Sequence, residues 1–419
     1  MHPEVEDKYM KNLLFTPAKL GPVLLHNRSI RSAAFEGMCP GNKVSTDLIN
    51  YHTSVAAGGI GMTTVAYASI SRSGLSFPHQ LLITRDEIPA MQRLTEAVHR
   101  EGAAVAIQIG HCGLMAKISI SGKCLAPSGR INLYGPTWPS KITHGEIRDV
   151  VRDFGIAARF VMDAGFDAIE VHAGHGYLIS QFLSPYTNKR HDQYGGSFAN
   201  RCRFMIDVIR EVMQAVSPKM AVVVKMNLRD GFKGGMELDE AIEVAGILES
   251  EGVDGLVLSG GFVSKAPMYV MRGSMPVKVM AHYIKNPWMK FGVRYFGNCL
   301  IKPEPFTEAY FLEDALKVRA QVALPLIYVG GLKSRETIED VLGKGFEFVQ
   351  MARVLIHDPG FINKLRTGEV GVSECKSSNY CIARMYSGQM ACFQHEADIP
   401  VKWRSELETS RETSRRSRI

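Results

Sequence analysis

The segment that decides the architecture runs Ala221-Val-Val-Val-Lys-Met-Asn227, then Asp239 to Glu251, then Gly255-Leu-Val-Leu-Ser-Gly260. A β-branched run, an amphipathic helical pattern and a second apolar run make one βαβ unit, the crossover that a parallel strand pair needs. Outward from it the same grammar recurs. Candidate strands are Ile30 to Phe35, Gly61 to Ala68, Val105 to Gly110, Asp167 to Ala173, Leu326 to Gly331 and Phe348 to Arg353, which with the first two make eight. Helical patterns lie between them at Ile88 to Glu101, Ile147 to Ala164, Asn200 to Ala215, Phe311 to Leu324 and Ser334 to Lys344. Gly102, Gly165, Gly252 and Gly345 follow apolar-periodic segments, as helix-ending glycines do. Eight such units, with no G-x-G-x-x-G turn after the first strand, predict an α/β chain folded as a (β/α)8 TIM barrel rather than an open doubly wound sheet.

The 419 residues, 46% hydrophobic and 22% charged, supply ample core and exclude a disordered or collagen-like chain. The apolar stretch Val55 to Ala68 is broken by Gly58, Gly59, Gly61 and Thr63, so no membrane span is expected. Glu4, Glu6 and Asp7 stand where a secretory signal would be basic, and eight thinly spread cysteines fit a reducing compartment, so a cytoplasmic enzyme is expected. Net charge is +7, and residues 401–419 hold six Lys or Arg against three Glu. That tail lacks the aromatic interleaving of a nucleic-acid binder. The barrel is expected to occupy 1–395 and a solvated, disordered basic tail 396–419, with no nucleic-acid or membrane partner and either a monomer or a homo-oligomer.

Two connections are too long for plain loops: 111–146 after the third strand and 262–310 after the sixth. The second carries Tyr269, Met271, Met275, Met280, Tyr283, Trp288, Phe291, Tyr295 and Phe296. A lid over the active face, with an adaptable apolar pocket for a small-molecule substrate, and a subunit contact are both open readings.

Polar and glycine residues gather at the C-terminal ends of the candidate strands, where barrel enzymes build their sites. Gln108 and His111 end the third, His172, His175 and Tyr177 the fourth, Lys225 the fifth, Ser259-Gly260-Gly261 the sixth, Gly330-Gly331 the seventh and Ala352-Arg353 the eighth. Paired glycines let backbone N–H groups approach an anion, and Arg353 adds a charged donor, so this end reads as a phosphate site; an ordinary tight turn is the plain alternative. Two imidazoles three residues apart can donate to one developing oxyanion, and a neighbouring phenol can deliver a proton. A zinc pair, with Glu170 as the nearest further ligand, and two structural histidines are the rival readings. Lys225 suits either a Schiff base or a fixed charge beside an anionic cofactor atom.

The run His172-Ala-Gly-His-Gly-Tyr-Leu-Ile-Ser-Gln-Phe-Leu-Ser-Pro-Tyr-Thr-Asn-Lys-Arg190, followed by Asp192-Gln-Tyr-Gly-Gly-Ser197 and Asn200-Arg-Cys-Arg-Phe204, closely resembles the old yellow enzyme family of NAD(P)H:flavin oxidoreductases. The likeness extends from about Leu13 to His395, through Asn27-Arg28, Gln108-x-x-His111, Leu326-Ile-Tyr-Val-Gly-Gly331 and Gln350-Met-Ala-Arg353. It implies a barrel holding FMN noncovalently. By motif, Ala33 and Ala34 would lie along the flavin, Ala66 near its ring, Gln108 on its pyrimidine edge and Lys225 at N1 and O2. Gly330, Gly331, Ala352 and Arg353 would hold the phosphate. His172 and His175 match the pair that binds a substrate carbonyl, and Tyr177 matches the proton donor.

The implied activity is reduction of activated C=C bonds in α,β-unsaturated carbonyl compounds with NADH or NADPH as electron donor, taken directly from the bound nucleotide because no further flavin or nucleotide domain follows. Oxidation of an amine or alcohol on the same flavin, a Lys225 aldolase and a flavin-free binding barrel are the alternatives. Three departures stand out. Phe35 replaces the usual Thr or Cys beside the flavin, and Lys225 replaces an arginine. Cys375-Lys-Ser-Ser378-Asn-Tyr-Cys381, with Cys392 beyond, is similar to the cluster-binding pattern of larger relatives, but Ser378 stands in for a cysteine. Since four thiolates normally hold such a cluster, no cluster and no metal site is expected, with metal binding by the three cysteines Cys375, Cys381 and Cys392 as the lesser alternative.

Overall fold

Eight parallel strands close on themselves in the computed structural model: β1 (Ser29–Arg31), β2 (Met62–Ser69), β3 (Ala104–Gly110), β4 (Ala168–His172), β5 (Ala221–Asn227), β6 (Gly255–Ser259), β7 (Leu326–Val329) and β8 (Phe348–Met351). β8 pairs back onto β1 through Val349 with Ser29, Gln350 with Ile30 and Met351 with Arg31, which makes the sheet a barrel. The structure describes residues 12–129, 138–385 and 388–396, and beyond these residues 399, 403, 404 and 407. Every residue of β2, β4, β5 and β6 is buried, as expected of parallel strands covered on both faces.

The covering layer is α1 (Thr46–Ala57), α2 (Ile88–Arg100), α3 (His144–Asp163), α4 (Phe198–Val216), α5 (Leu238–Ser250), α6 (Leu312–Arg319), α7 (Arg335–Gly343) and α8 (Phe361–Thr367). Their starts are chemically marked. Thr143 and Glu146 form a reciprocal capping box on α3, and Ser45, Ser197 and Ser334 accept N–H groups in the first turns of α1, α4 and α7.

All eight strands stand where the sequence places them, but the first ends earlier than Phe35. Arg31, fully buried, donates to the Glu36 carboxylate at 2.6 Å, to Thr64 O at 2.6 Å and to Ala34 O at 2.8 Å, and this pulls residues 32–36 into a loop across the barrel mouth. The other end is shut. A hairpin, Ala18–Leu20 with Val23–Leu25, precedes β1, and its Leu20 and Leu25 pack against Ile30, Met62, Val223 and Phe348.

The insertion after β3 folds into a short helix, Ile118–Ser121, and a two-residue strand pair, Leu125–Ala126 with Ser140–Lys141. The insertion after β6 holds three helices, Pro267–Met271, Val277–Tyr283 and Pro287–Leu300. Ile399 and Leu407, inside the segment read as a solvated tail, are buried with Val279, Tyr380 and Phe393, and Trp403 packs on that group. The acidic start of the chain and residues 408–419 lie outside the described residues. Among the described residues no helix is long and apolar enough to cross a membrane.

Candidate active site

Side chains two residues apart on a strand share a face. Ala106, Ala168, Val223 and Phe348 belong to the apolar cluster that the hairpin closes, so the next inward positions toward the mouth are Gln108, Glu170, Lys225 and Gln350. These four form one buried polar layer. Glu170 is its centre: it accepts from Gln108 Nε2 at 2.6 Å and from Gln350 Nε2 at 2.8 Å, and it pairs with Lys225 Nζ at 2.7 Å. Lys225 Nζ also reaches Ser32 Oγ at 3.3 Å. Lys225 is thus an ion-pair donor within a network, which favours a fixed charge over a free Schiff-base amine. Gln350 Oε1 is buried without a hydrogen-bond partner, so the layer still offers one acceptor.

Above this layer β4 ends in His172 and turns sharply. His175 has φ +57° and Gly176 φ +79°, and a Cβ on Gly176 would stand 2.5 Å from the Phe262 ring, so only glycine fits there. The turn is pinned by Asn227, whose Oδ1 accepts from His175 N at 2.9 Å. The result brings three side chains together: the His172 ring lies 5.1 Å from His175 and 4.5 Å from Tyr177, centre to centre. Gly174 N donates to His172 Nδ1 at 3.4 Å, which makes Nδ1 an acceptor and leaves the proton on Nε2. His175 Nε2 bonds Ser259 Oγ at 2.8 Å.

Burial, then the neighbouring His175 and Lys225, holds His172 well below the ordinary histidine range. Burial, then Lys225, pushes His175 down to about 3. Both imidazoles are therefore neutral at physiological pH, each with one N–H to donate. Among the described residues no metal-ligating cluster includes the pair, and Glu170 is committed to Lys225 and the two glutamines.

Tyr67, on β2, was not among the residues singled out from the sequence. Its ring stands 4.8 Å from Tyr177 and 6.2 Å from His172, and its hydroxyl bonds Ser76 Oγ. Burial raises it well above the usual phenol range, so it stays protonated. The Ala66 N–H is held by Glu36 at 3.0 Å, where the β2 register slips between Val65 and Ala68. Ala33 and Ala34 are half-buried in the loop above Arg31. Phe35 stacks on Phe77 at 4.8 Å and leans on Tyr67 at 6.0 Å, an aromatic rim in place of a small polar side chain.

Gly330, Gly331, Ala352 and Arg353 line one open cavity of about 430 Å³, with Phe306, Tyr310 and Gln350 on its walls. A Cβ on Gly331 would stand 2.7 Å from Tyr310 and 2.8 Å from Thr307 O, so the cradle depends on glycine. Arg353 is aimed by Asn379 Oδ1 at 2.9 Å and packs over Phe306 at 5.3 Å. The structure therefore brings all the sequence-selected residues to the mouth side of one barrel, Ser259 among them, and gives partners to Glu170 and Gln350, with Tyr67 and Asn227 beside them. Strand periodicity could have found Glu170 and Gln350.

The family model described as NADH:flavin oxidoreductase / NADH oxidase matches residues 13–291. The 4,4'-dithiodibutanoate disulfide reductase of Rhodococcus erythropolis is 42% identical over 379 residues, covering 90% of this chain and 93% of that protein. The metal reductase of Desulforamulus reducens is 30% identical over 359 residues, covering 85% of this chain but 49% of its own length, so the chain spans about half of that relative. Among solved structures, an old yellow enzyme homologue from Zymomonas mobilis is similar with a TM-score of 0.70 at 22% identity, covering 93% of this chain and 99% of that one. At that identity the likeness speaks to the fold.

Proposed function

Because this chain belongs to the NADH:flavin oxidoreductase / NADH oxidase family, an oxidoreductase family working with FMN and NAD(P)H, we propose that it reduces the activated C=C bond of α,β-unsaturated carbonyl compounds. The observation that carries this reading is the buried, neutral His172 set beside His175 and Tyr177 at the open end of the barrel.

The residues fit FMN at both ends. Gln108, Lys225 and the unpartnered Gln350 Oε1 offer donors, a cation and an acceptor to a flat polar ring system. Gly330, Gly331, Ala352 and Arg353 offer the anion cradle, and the small side chains of Ala33, Ala34 and Ala66 would lie along the ring system. When bound, FMN supplies hydride transfer, taking the hydride from NAD(P)H and giving it to the β carbon of the alkene.

His172 and His175 donate N–H bonds to the substrate carbonyl oxygen, where negative charge builds up. One such donor is worth about 2.7–4 kcal/mol of barrier in comparable sites. Tyr177 delivers the proton to the α carbon, and the buried Tyr67 hydroxyl beside it fixes the phenol's position. The test is anaerobic turnover of a simple cyclic enone with NADH and NADPH. Saturated ketone formed at a rate matching flavin reoxidation supports the reading, and a reduced flavin that ignores the enone removes it.

A second reading is reduction of an aliphatic disulfide, favoured by the relative named as a disulfide reductase at 42% identity. NAD(P)H and one proton would then convert the disulfide to two thiols, with the His172 and His175 donors facing the departing sulfur. Thiol release from a dicarboxylate disulfide in the same assay, without enone turnover, would select it.

A further inference from the structure

Behind the anion cradle, His357, Cys392 and His395 meet where the helix Arg353–His357 touches the C-terminal segment, and one donor atom from each lies within 4.8 Å of the others. Cys392 Sγ stands 3.6 Å from His357 Nδ1. A tetrahedral zinc ion bonded at about 2.3 Å to sulfur and about 2.0–2.1 Å to nitrogen holds those two atoms about 3.6 Å apart. His395 Nε2 lies 2.7 Å from the backbone oxygen of His357. Donating that N–H to the carbonyl puts the lone pair on Nδ1 and fixes the ring, which is how a second-shell bond orients a ligating histidine. Cys375 lines the same cavity as Cys392.

We propose that His357, Cys392 and His395 form a binding site for one thiophilic divalent cation, with Zn²⁺ the best match, and that the fourth position is filled by water or by Cys375. One thiolate and two imidazoles suit zinc, whereas magnesium and calcium require oxygen donors. The site is not the four-thiolate pattern that Ser378 interrupts, since both imidazoles come from outside that pattern. It also departs from the expectation, drawn from the sequence, that no metal is bound. Binding releases the Cys392 proton.

The role is structural. His357 ends the helix that Arg353 begins, and Asn379 of the C-terminal segment aims Arg353. An ion on His357, Cys392 and His395 fastens that segment to the anion end of the barrel.

The probe is Co²⁺ added to the full-length, FMN-loaded protein, followed in the d–d region at wavelengths longer than oxidised flavin absorbs, with Zn²⁺ as competitor. One tetrahedral Co²⁺ per chain, displaced by one Zn²⁺, is expected. His395→Ala and Cys392→Ser should each weaken binding by about tenfold or more, and Cys381→Ser should leave it unchanged. His395 is exposed, so its replacement tests the site without disturbing the core, and a retained flavin spectrum confirms that each variant folds. No bound cobalt, octahedral bands, or binding indifferent to His395→Ala would leave only a thiol–imidazole hydrogen bond and overturn the proposal.

Discussion

Lys225 Nζ lies 2.7 Å from Glu170 Oε1, on adjacent strands, and both side chains are almost completely withdrawn from solvent. The pair places a cation and an anion under the site in one fixed arrangement, because the amides of Gln108 and Gln350 occupy the remaining carboxylate positions.

Removing one partner should be costly. Lys225→Met leaves a buried carboxylate uncompensated, an effect of about 3–5 kcal/mol. Urea unfolding should show that loss and also poor FMN retention, and Glu170→Gln added to Lys225→Met should restore part of the stability. A single variant within 1 kcal/mol (roughly the error of such titrations) of the parent would mean the pair does not carry the layer.

Tyr177→Phe separates proton delivery from electron delivery. Alkene reduction should fall by about a hundredfold or more, while flavin reduction by NAD(P)H keeps its rate. Stopped-flow absorbance of the two half-reactions measures each alone.

Acid should destabilise the fold through its buried histidines. His111 is pushed down to about 4 and His175 to about 3 by burial, and Gly113 N donates to His111 Nδ1 at 3.0 Å, a bond that a protonated ring cannot accept. Below an unfolded pKa of about 6.5 the unfolded chain takes up protons that the native state refuses. Stability is therefore full above that value and falls by up to about 1.4 kcal/mol per pH unit per histidine as pH drops toward the folded pKa. Tm measured from pH 8 to pH 5 (a range chosen to span roughly the free-histidine pKa) should decline, and less steeply in His111→Gln.

Gly331→Ala should push the cradle backbone out of its left-handed conformation and so reduce FMN affinity. A side chain at φ +76° is strained, and its Cβ would meet Tyr310 and Thr307 O. A backbone that escapes strain of about 1–3 kcal/mol by leaving the cradle geometry must recover it to bind FMN, roughly a tenfold to hundredfold loss, readable by fluorescence titration of the apoprotein with FMN. Unchanged affinity would move the phosphate elsewhere.

The barrel was legible because each strand announces itself locally, as a short buried run between turn residues. The polar layer was half legible. Lys225 and Gln108 stood out, whereas Glu170 drew notice only as a metal candidate and Gln350 only within a motif, since their partners lie on distant strands. Phe35 shows the opposite failure: its apolar run continues the first strand, yet Arg31 finds better partners in Glu36 and the Thr64 carbonyl and ends it.

The second half of the family signature, 184–204, serves as scaffold. Arg190 grips Asp192 at 2.7 Å and reaches across to Pro127 O at 3.0 Å and Ile142 O at 2.8 Å, tying the insertion after β3 to the loop after β4. Asn188 spans Phe182 O and Tyr194 O, and Arg201 pairs with Glu240. That half of the signature marks the fold, while its first half, from His172 to Tyr177, carries the candidate chemistry.

The hairpin that seals the barrel floor has a kinetic corollary. With Leu20 and Leu25 stoppering one end, the mouth is the only approach to the polar layer through the barrel, and under the proposed function nucleotide and oxidant compete for that one doorway. Initial-rate lines at several fixed oxidant concentrations should run parallel, and a large excess of either reactant should slow the other.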